Sequence, residues 1–142
     1  MNKIFMKIIK NRIEKTNFNQ PIDQAGFRKG FSTNDHLHFL NQIIEKAKEY
    51  QIEIYLAFLY YAKAFDSVDQ VCVFRAMTNQ RIDPGYIQTI YNSYKVCQAP
   101  VIVDEPGPFF PVNREVKQGD PISPLLLNCV LEEMFKNLKW EQ

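Results

Sequence analysis

The sequence has too few cysteines to be held together by them. Cys72, Cys97 and Cys129 are odd in number and far apart. That excludes a disulfide framework and a cysteine-based zinc motif, and it points to a reducing compartment. No apolar run approaches the length of a membrane span. Lysines interrupt every short apolar run of "MNKIFMKIIK", which argues against a signal peptide. These absences predict an intracellular protein, nuclear or cytoplasmic, with no membrane partner. An excess of one charge is missing too. The net charge is +1, so the bulk balance does not announce a nucleic-acid binder. There is no repeat, no low-complexity tract and no internal linker.

What remains is ordinary globular material. The 142 residues are 46% hydrophobic and 23% charged, enough for one modest core. The charge is unevenly placed. Lys3, Lys7, Lys10, Arg12, Lys15, Arg28 and Lys29 face only Glu14 and Asp23 within residues 1–30, a local +5 that leaves −4 for the rest. A basic stretch of this kind suits phosphate contact or a solvated helix face.

Hydrophobic spacing outlines the elements. Ile4, Ile8, Ile9 and Ile13 predict a helix over about residues 2–15. "QAGFRKGFST" reads as a structured loop, after which Thr33 or Asn34 would cap a helix with the stripe Leu37, Leu40, Ile43, Ile44 and Ala47. "IEIYLAFLY" is β-branched, aromatic and nearly continuous, the pattern of a central strand covered on both faces. Asp66 or Ser67 would cap the next helix, to about Thr78, with Asp69 solvated inside it. Pro84 opens another, to about Tyr94. "APVIVDEPGPFFPV" predicts two short strands around a turn. Asp120 and Pro121 would start a last helix, from about Ile122 to Lys139, burying Leu126, Val130, Met134 and Leu138.

Three segments carry a resemblance: "NQPIDQAGFRKGFSTNDHL", "YLAFLYYAKAFDSVD" and "VKQGDPISPLLLNCVLEEMF". In this order they resemble the reverse transcriptase domain of non-LTR (LINE-type) retrotransposons, from about Lys3 to Trp140. The resemblance implies an α/β (α+β) fold, a partial polymerase palm with part of the fingers. A short mixed or antiparallel sheet would be packed by helices. Residues 1–142 would form one partial domain, truncated at both ends, with fingers-side helices and the "GFRKGFST" loop over 1–50 and palm over 51–142.

It also implies an RNA-directed DNA polymerase using Mg²⁺, an RNA template and a DNA primer. In-line attack on an α-phosphate needs carboxylates that hold two metal ions. The family's first such aspartate falls at Tyr60, a neutral phenol. Asp66 matches the second aspartate of that motif, but it lies past the strand end, where helix capping accounts for it. The family's paired aspartates lie beyond Gln142, and no Asp-Asp pair occurs in this sequence. Glu132-Glu133 reads as surface charge, because adjacent helical residues do not face one point.

Other family positions are kept. Phe65 stands where a bulky residue blocks a ribose 2′-hydroxyl, and core packing is the competing role. Gln118 and Gly119 stand where nucleotide and template are approached. Arg28 and Lys29 would contact template or nucleotide, or else buttress their loop. Glu115 departs from a usual glycine. The expectation is a reverse transcriptase domain fragment, catalytically inactive alone, that does not itself hold Mg²⁺ and takes no stable small-molecule ligand. The alternative is a non-catalytic remnant that binds nucleic acid weakly through residues 1–30 or binds another protein.

Overall fold

The structure, a computed structural model, describes residues 2–16, 21, 24–95, 98–102, 106–111 and 114–138. Among these the chain is mostly helical. The order is α1 (Asn2–Lys15), α2 (Thr33–Glu49), α3 (Ala64–Ser67), α4 (Gln70–Asn79), α5 (Pro84–Lys95), β1 (Gln98–Ile102), β2 (Pro106–Pro111) and α6 (Ser123–Asn137). The chain divides into two units: Met1–Asn19 with Ala62–Gln142, and Gln20–Tyr61.

The first unit holds the main core. Met6, Ile9 and Ile13 of α1 are buried, with Val73, Ala76 and Met77 of α4, Ile90 and Tyr94 of α5, and Leu125, Leu126 and Cys129 of α6. Burying each large side chain contributes roughly 1.5–3 kcal/mol. The α1 face differs from the expected quartet. Ile4 and Ile8 are exposed, and Met6 takes their place. At 100° per residue Met6, Ile9 and Ile13 share a side, and Ile4 and Ile8 lie opposite.

Helix α6 differs in the same way. Leu126 is buried and Val130 partly buried, but Met134 and Leu138 are exposed. Its first turns are instead covered nearly all round, from Ile122 to Cys129. The cover comes from α4. Gln80 Nε2 donates to the Cys129 carbonyl at 2.7 Å, and Asn79 Nδ2 to Glu133 Oε1 at 2.7 Å. Beyond that point α6 outruns α4.

Helix starts are set by capping. Asp69, not Asp66 or Ser67, caps α4, because its Oδ1 accepts from Val71 N at 2.8 Å. Asp66 and Ser67 belong to α3. At α5, Asp83 Oδ1 accepts from Gly85 N at 2.7 Å, one residue after Pro84 opens the helix. Asp120 and Pro121 form a turn ahead of α6, and the helix proper carries Pro124 in its first turn. Strands β1 and β2 pair antiparallel as expected, with Gln98 opposite Pro111 and Ala99 opposite Phe110, but Pro106, Gly107 and Pro108 lie in β2 rather than in the turn.

The second unit is one helix with flanking loops. Ser32 is the α2 N-cap, ahead of Thr33 and Asn34. Its hydroxyl accepts from Asp35 N at 3.3 Å while Asp35 Oδ2 accepts from Ser32 N at 2.8 Å, a reciprocal capping box. Of the expected stripe only Ala47 is buried, and Leu37 and Ile43 are exposed. Among the described residues this unit has no second helix or strand for that face to meet.

The expected central strand is not formed. Residues 52–61 carry neither helix nor strand, and the sheet is reduced to the β1–β2 hairpin among the described residues. A strand satisfies its N–H and C=O groups only through neighbours. Apolar, β-branched composition cannot replace that pairing.

Candidate functional site

Two stretches of the first unit run side by side. Val116 N donates to the Phe65 carbonyl at 2.8 Å, and Glu115 N to the Val68 carbonyl at 3.0 Å. An antiparallel bridge joins Asp69 to Arg114. This short ladder carries four sequence-predicted residues to one place: Phe65, Asp66, Gln118 and Gly119.

Their environments differ. Phe65 is partly buried against the core cluster, beside fully buried Val116. Asp66 and Gln118 are exposed, and Gln118 Nε2 donates to Asp66 Oδ1 at 2.5 Å. The next residue, Gly119, has φ +76, a left-handed conformation that favours glycine. A Cβ there would meet nothing within 4 Å, so conformation rather than crowding selects the glycine, and the adjoining space is open.

The turn is anchored from below. The Lys117 carbonyl accepts from the Ser123 hydroxyl at 2.5 Å and from Asp120 N at 3.2 Å. The buried Asp120 accepts from Ile122 N at 3.3 Å through Oδ1. Lys117 Nζ lies 5.1 Å from the Tyr94 ring centroid, a cation–π contact that sequence reasoning missed. No local pattern signals it, since the two residues are distant in sequence. Glu115 has φ +88, a strained conformation for a residue with a Cβ. The only hint was the family's preference for glycine there.

The other predicted residues lie in the second unit. Arg28 is partly buried. Its Nη1 donates to the Pro21 carbonyl at 2.8 Å, and its guanidinium lies 4.9 Å from the Phe31 ring centroid. Lys29 is exposed, and Tyr60 is 91% exposed.

A divalent ion needs hard oxygen ligands converging on one point. The nearby donors are already used: Asp66 accepts from Gln118, Asp69 caps α4 and Asp120 closes the turn before α6. Glu132 pairs with Lys136 at 3.1 Å, and Glu133 accepts from Asn79. Among the described residues no three His, Cys, Asp or Glu side chains come together. Among the described residues the donor set does not fit a metal pair. Cys129 is no alternative nucleophile, because burial pushes its thiol up to about 12.

Comparison with known proteins adds the family. The family model for "Reverse transcriptase (RNA-dependent DNA polymerase)" matches residues 1–141. The chain is similar to the retrovirus-related Pol polyprotein of a type-1 R2 retrotransposable element of Nasonia vitripennis. It is 29% identical over 137 residues, which is 94% of this chain and 13% of that protein. The Pol polyprotein of the type-2 element R2DM of Drosophila melanogaster is 27% identical over 92% of this chain and 13% of its own length. A type-1 R2 relative from Popillia japonica is 29% identical over 98% of this chain and 20% of its own length. The chain thus spans 13% to 20% of these relatives. With that match over almost its whole length, the chain belongs to the reverse transcriptase family, as a domain of the non-LTR retrotransposon type.

Proposed function

We propose that this chain is a reverse-transcriptase domain that presents a nucleotide- and template-facing turn but does not polymerise alone. The observation behind this reading is the carboxylate set. Tyr60 stands at the family's first metal-binding aspartate, and the acids around Gln118 are engaged in local hydrogen bonds. Reverse transcriptases use divalent metal to stabilise the attacking and leaving oxygens. The described residues bring no such set of carboxylates together. Residues 1–50 would be the fingers side and 51–142 the palm side, acting inside a cell on an RNA template and a DNA primer. Among the described residues no helix is long and apolar enough to cross a membrane.

Gln118, Gly119 and Phe65 would then shape substrate rather than activate it. Gly119 leaves open space beside the backbone, and the Gln118 amide is exposed next to it. Phe65 fits both sugar exclusion and core support, being half-buried. Arg28 and Lys29 would face template from their own loop. The test is primer extension on an RNA template with Mg²⁺ or Mn²⁺. No incorporation above a buffer blank is expected. Incorporation that Asp66→Ala abolishes would overturn the reading.

A second reading, weak nucleic-acid binding through residues 1–30, has one observation in its favour. Lys3, Lys7 and Lys10 recur along one flank of α1 at helical spacing, although Lys10 is partly neutralised by Glu14 at 3.5 Å. A gel shift that weakens with salt and with charge reversal at Lys7, Lys10 and Arg12 would support it. A signal indifferent to that reversal would count against it.

A further inference from the structure

Asp66 caps no helix, since Asp69 has that role at α4, and among the described residues it joins no group of metal-ligating side chains. Its side-chain partner is the Gln118 amide, in the same unit. An ionised carboxylate only accepts hydrogen bonds, whereas a side-chain amide has a donating end and an accepting end. Toward Asp66 the amide can bond only through its nitrogen, and Gln118 Nε2 lies 2.5 Å from Asp66 Oδ1. The end left over is the oxygen, an acceptor with no partner among the described residues. Both side chains stand on fixed backbone. Asp66 N donates to the Lys63 carbonyl at 2.9 Å, and the carbonyl of Phe65, just before it, accepts from Val116 N at 2.8 Å. Gln118 follows Lys117, whose carbonyl accepts from the Ser123 hydroxyl and whose ammonium lies over the Tyr94 ring. A flip of the amide therefore has to break its bond to Asp66.

We propose that Asp66 is a positioning residue that sets the hydrogen-bond polarity of Gln118, so that the turn receives a neutral O–H or N–H donor of a nucleoside and turns phosphate away. The inference rests on the reading of this turn as nucleotide-facing. Two effects act in the same sense. A phosphate oxygen brought to the amide oxygen sets acceptor against acceptor, which leaves both unsatisfied. The Asp66 carboxylate beside it adds like charge. Without Asp66 the amide is free to turn and to offer its N–H groups to an anion. Asp66 touches no ligand in this scheme and acts through Gln118 alone.

The test is isotope-edited NMR of the 142-residue chain, following the Gln118 side-chain amide, which is identified by its loss in Gln118→Ala. In the free chain its protons should exchange with water about fivefold more slowly than in Asp66→Ala. Deoxyadenosine should shift the resonance and inorganic triphosphate should not. Free adenine then separates the sources: a shift with adenine assigns the donor to the base, and a shift with the nucleoside alone assigns it to the sugar. In Asp66→Ala the preference should narrow about tenfold, with triphosphate now shifting the resonance, and Asp66→Glu, which keeps an acceptor, should restore it. A merely structural Asp66 would weaken both probes alike. The wild-type contrast should survive about 0.3 M salt, which screens repulsion by an exposed charge. An amide unchanged in Asp66→Ala would overturn the positioning role and leave the nucleotide-facing reading standing. If neither deoxyadenosine nor triphosphate moves Gln118 in the wild type, that reading falls and the proposal with it. Equal responses to the two probes, or a contrast erased by salt, would also overturn the proposal.

Discussion

The side-chain amide of Gln118 donates to the carboxylate of Asp66, 2.5 Å away, across 52 residues of chain. This bond closes the ladder that begins at Phe65 and Val116, and it ties the "QGDPISP" turn to the start of the preceding helices. Both partners are exposed, so water competes with the contact. In a double-mutant cycle, Asp66→Ala and Gln118→Ala should couple by about 0.5–1 kcal/mol in urea unfolding. Strict additivity would show that the bond contributes nothing.

Glu115 and Gly119 make an opposed pair. Both have positive φ, at +88 and +76, and only one is a glycine. Glu115→Gly should raise stability by about 1 kcal/mol, and Gly119→Ala should lower it by about as much. The check is the urea midpoint at unchanged slope. A destabilising Glu115→Gly would mean that the side chain makes a compensating contact.

The α2 capping box carries a pH signature. Hydrogen bonds from the Ser32 side chain and backbone hold Asp35 below its ordinary carboxylate range. A depressed folded value means that the stabilisation is present above the ordinary value of 3.8 and is lost as pH falls through the lowered one. Acid should therefore fray the α2 N-terminus first, and Ser32→Ala should remove this pH step. Amide exchange at Asp35 and its neighbours reads both. An identical acid profile in the two proteins would exclude the box as the source.

The cysteines should separate by reactivity. Cys72 is an exposed free thiol and Cys129 a buried one. Under native conditions a thiol reagent should modify Cys72 within minutes and leave Cys129 intact, as read by peptide mass. The pH dependence runs opposite to that of Asp35. The thiol rises from 9.0 to about 12 on folding. Its contribution is full below pH 9 and falls as pH climbs toward the folded value. Wild type should lose stability faster than Cys129→Ala above pH 9, and parallel profiles would refute this.

Much was legible from short stretches. The bounds of α1 and α5 follow from periodicity and Pro84, which act over a few positions; the strand pair was legible too, but Pro106, Gly107 and Pro108, expected to form its turn, lie in β2. The reciprocal spacing of Ser32 and Asp35 was there to be read as well, and an oxygen-bearing neighbour at Thr33 concealed it. Asp69 was hidden similarly by Asp66 and Ser67. Several polar residues in a row offer several caps, and backbone geometry chooses among them.

Local order in the chain was enough to establish the family, the helix periods and the lack of a carboxylate at position 60, because each rests on residue identity and spacing. Which apolar residues are covered was not so decided. Met6 displaced Ile4 and Ile8, Leu138 stayed in water, and among the described residues the run at 52–61 found no strand to pair with. Burial and strand pairing need a second surface, and the one that arrives is set by how distant segments pack.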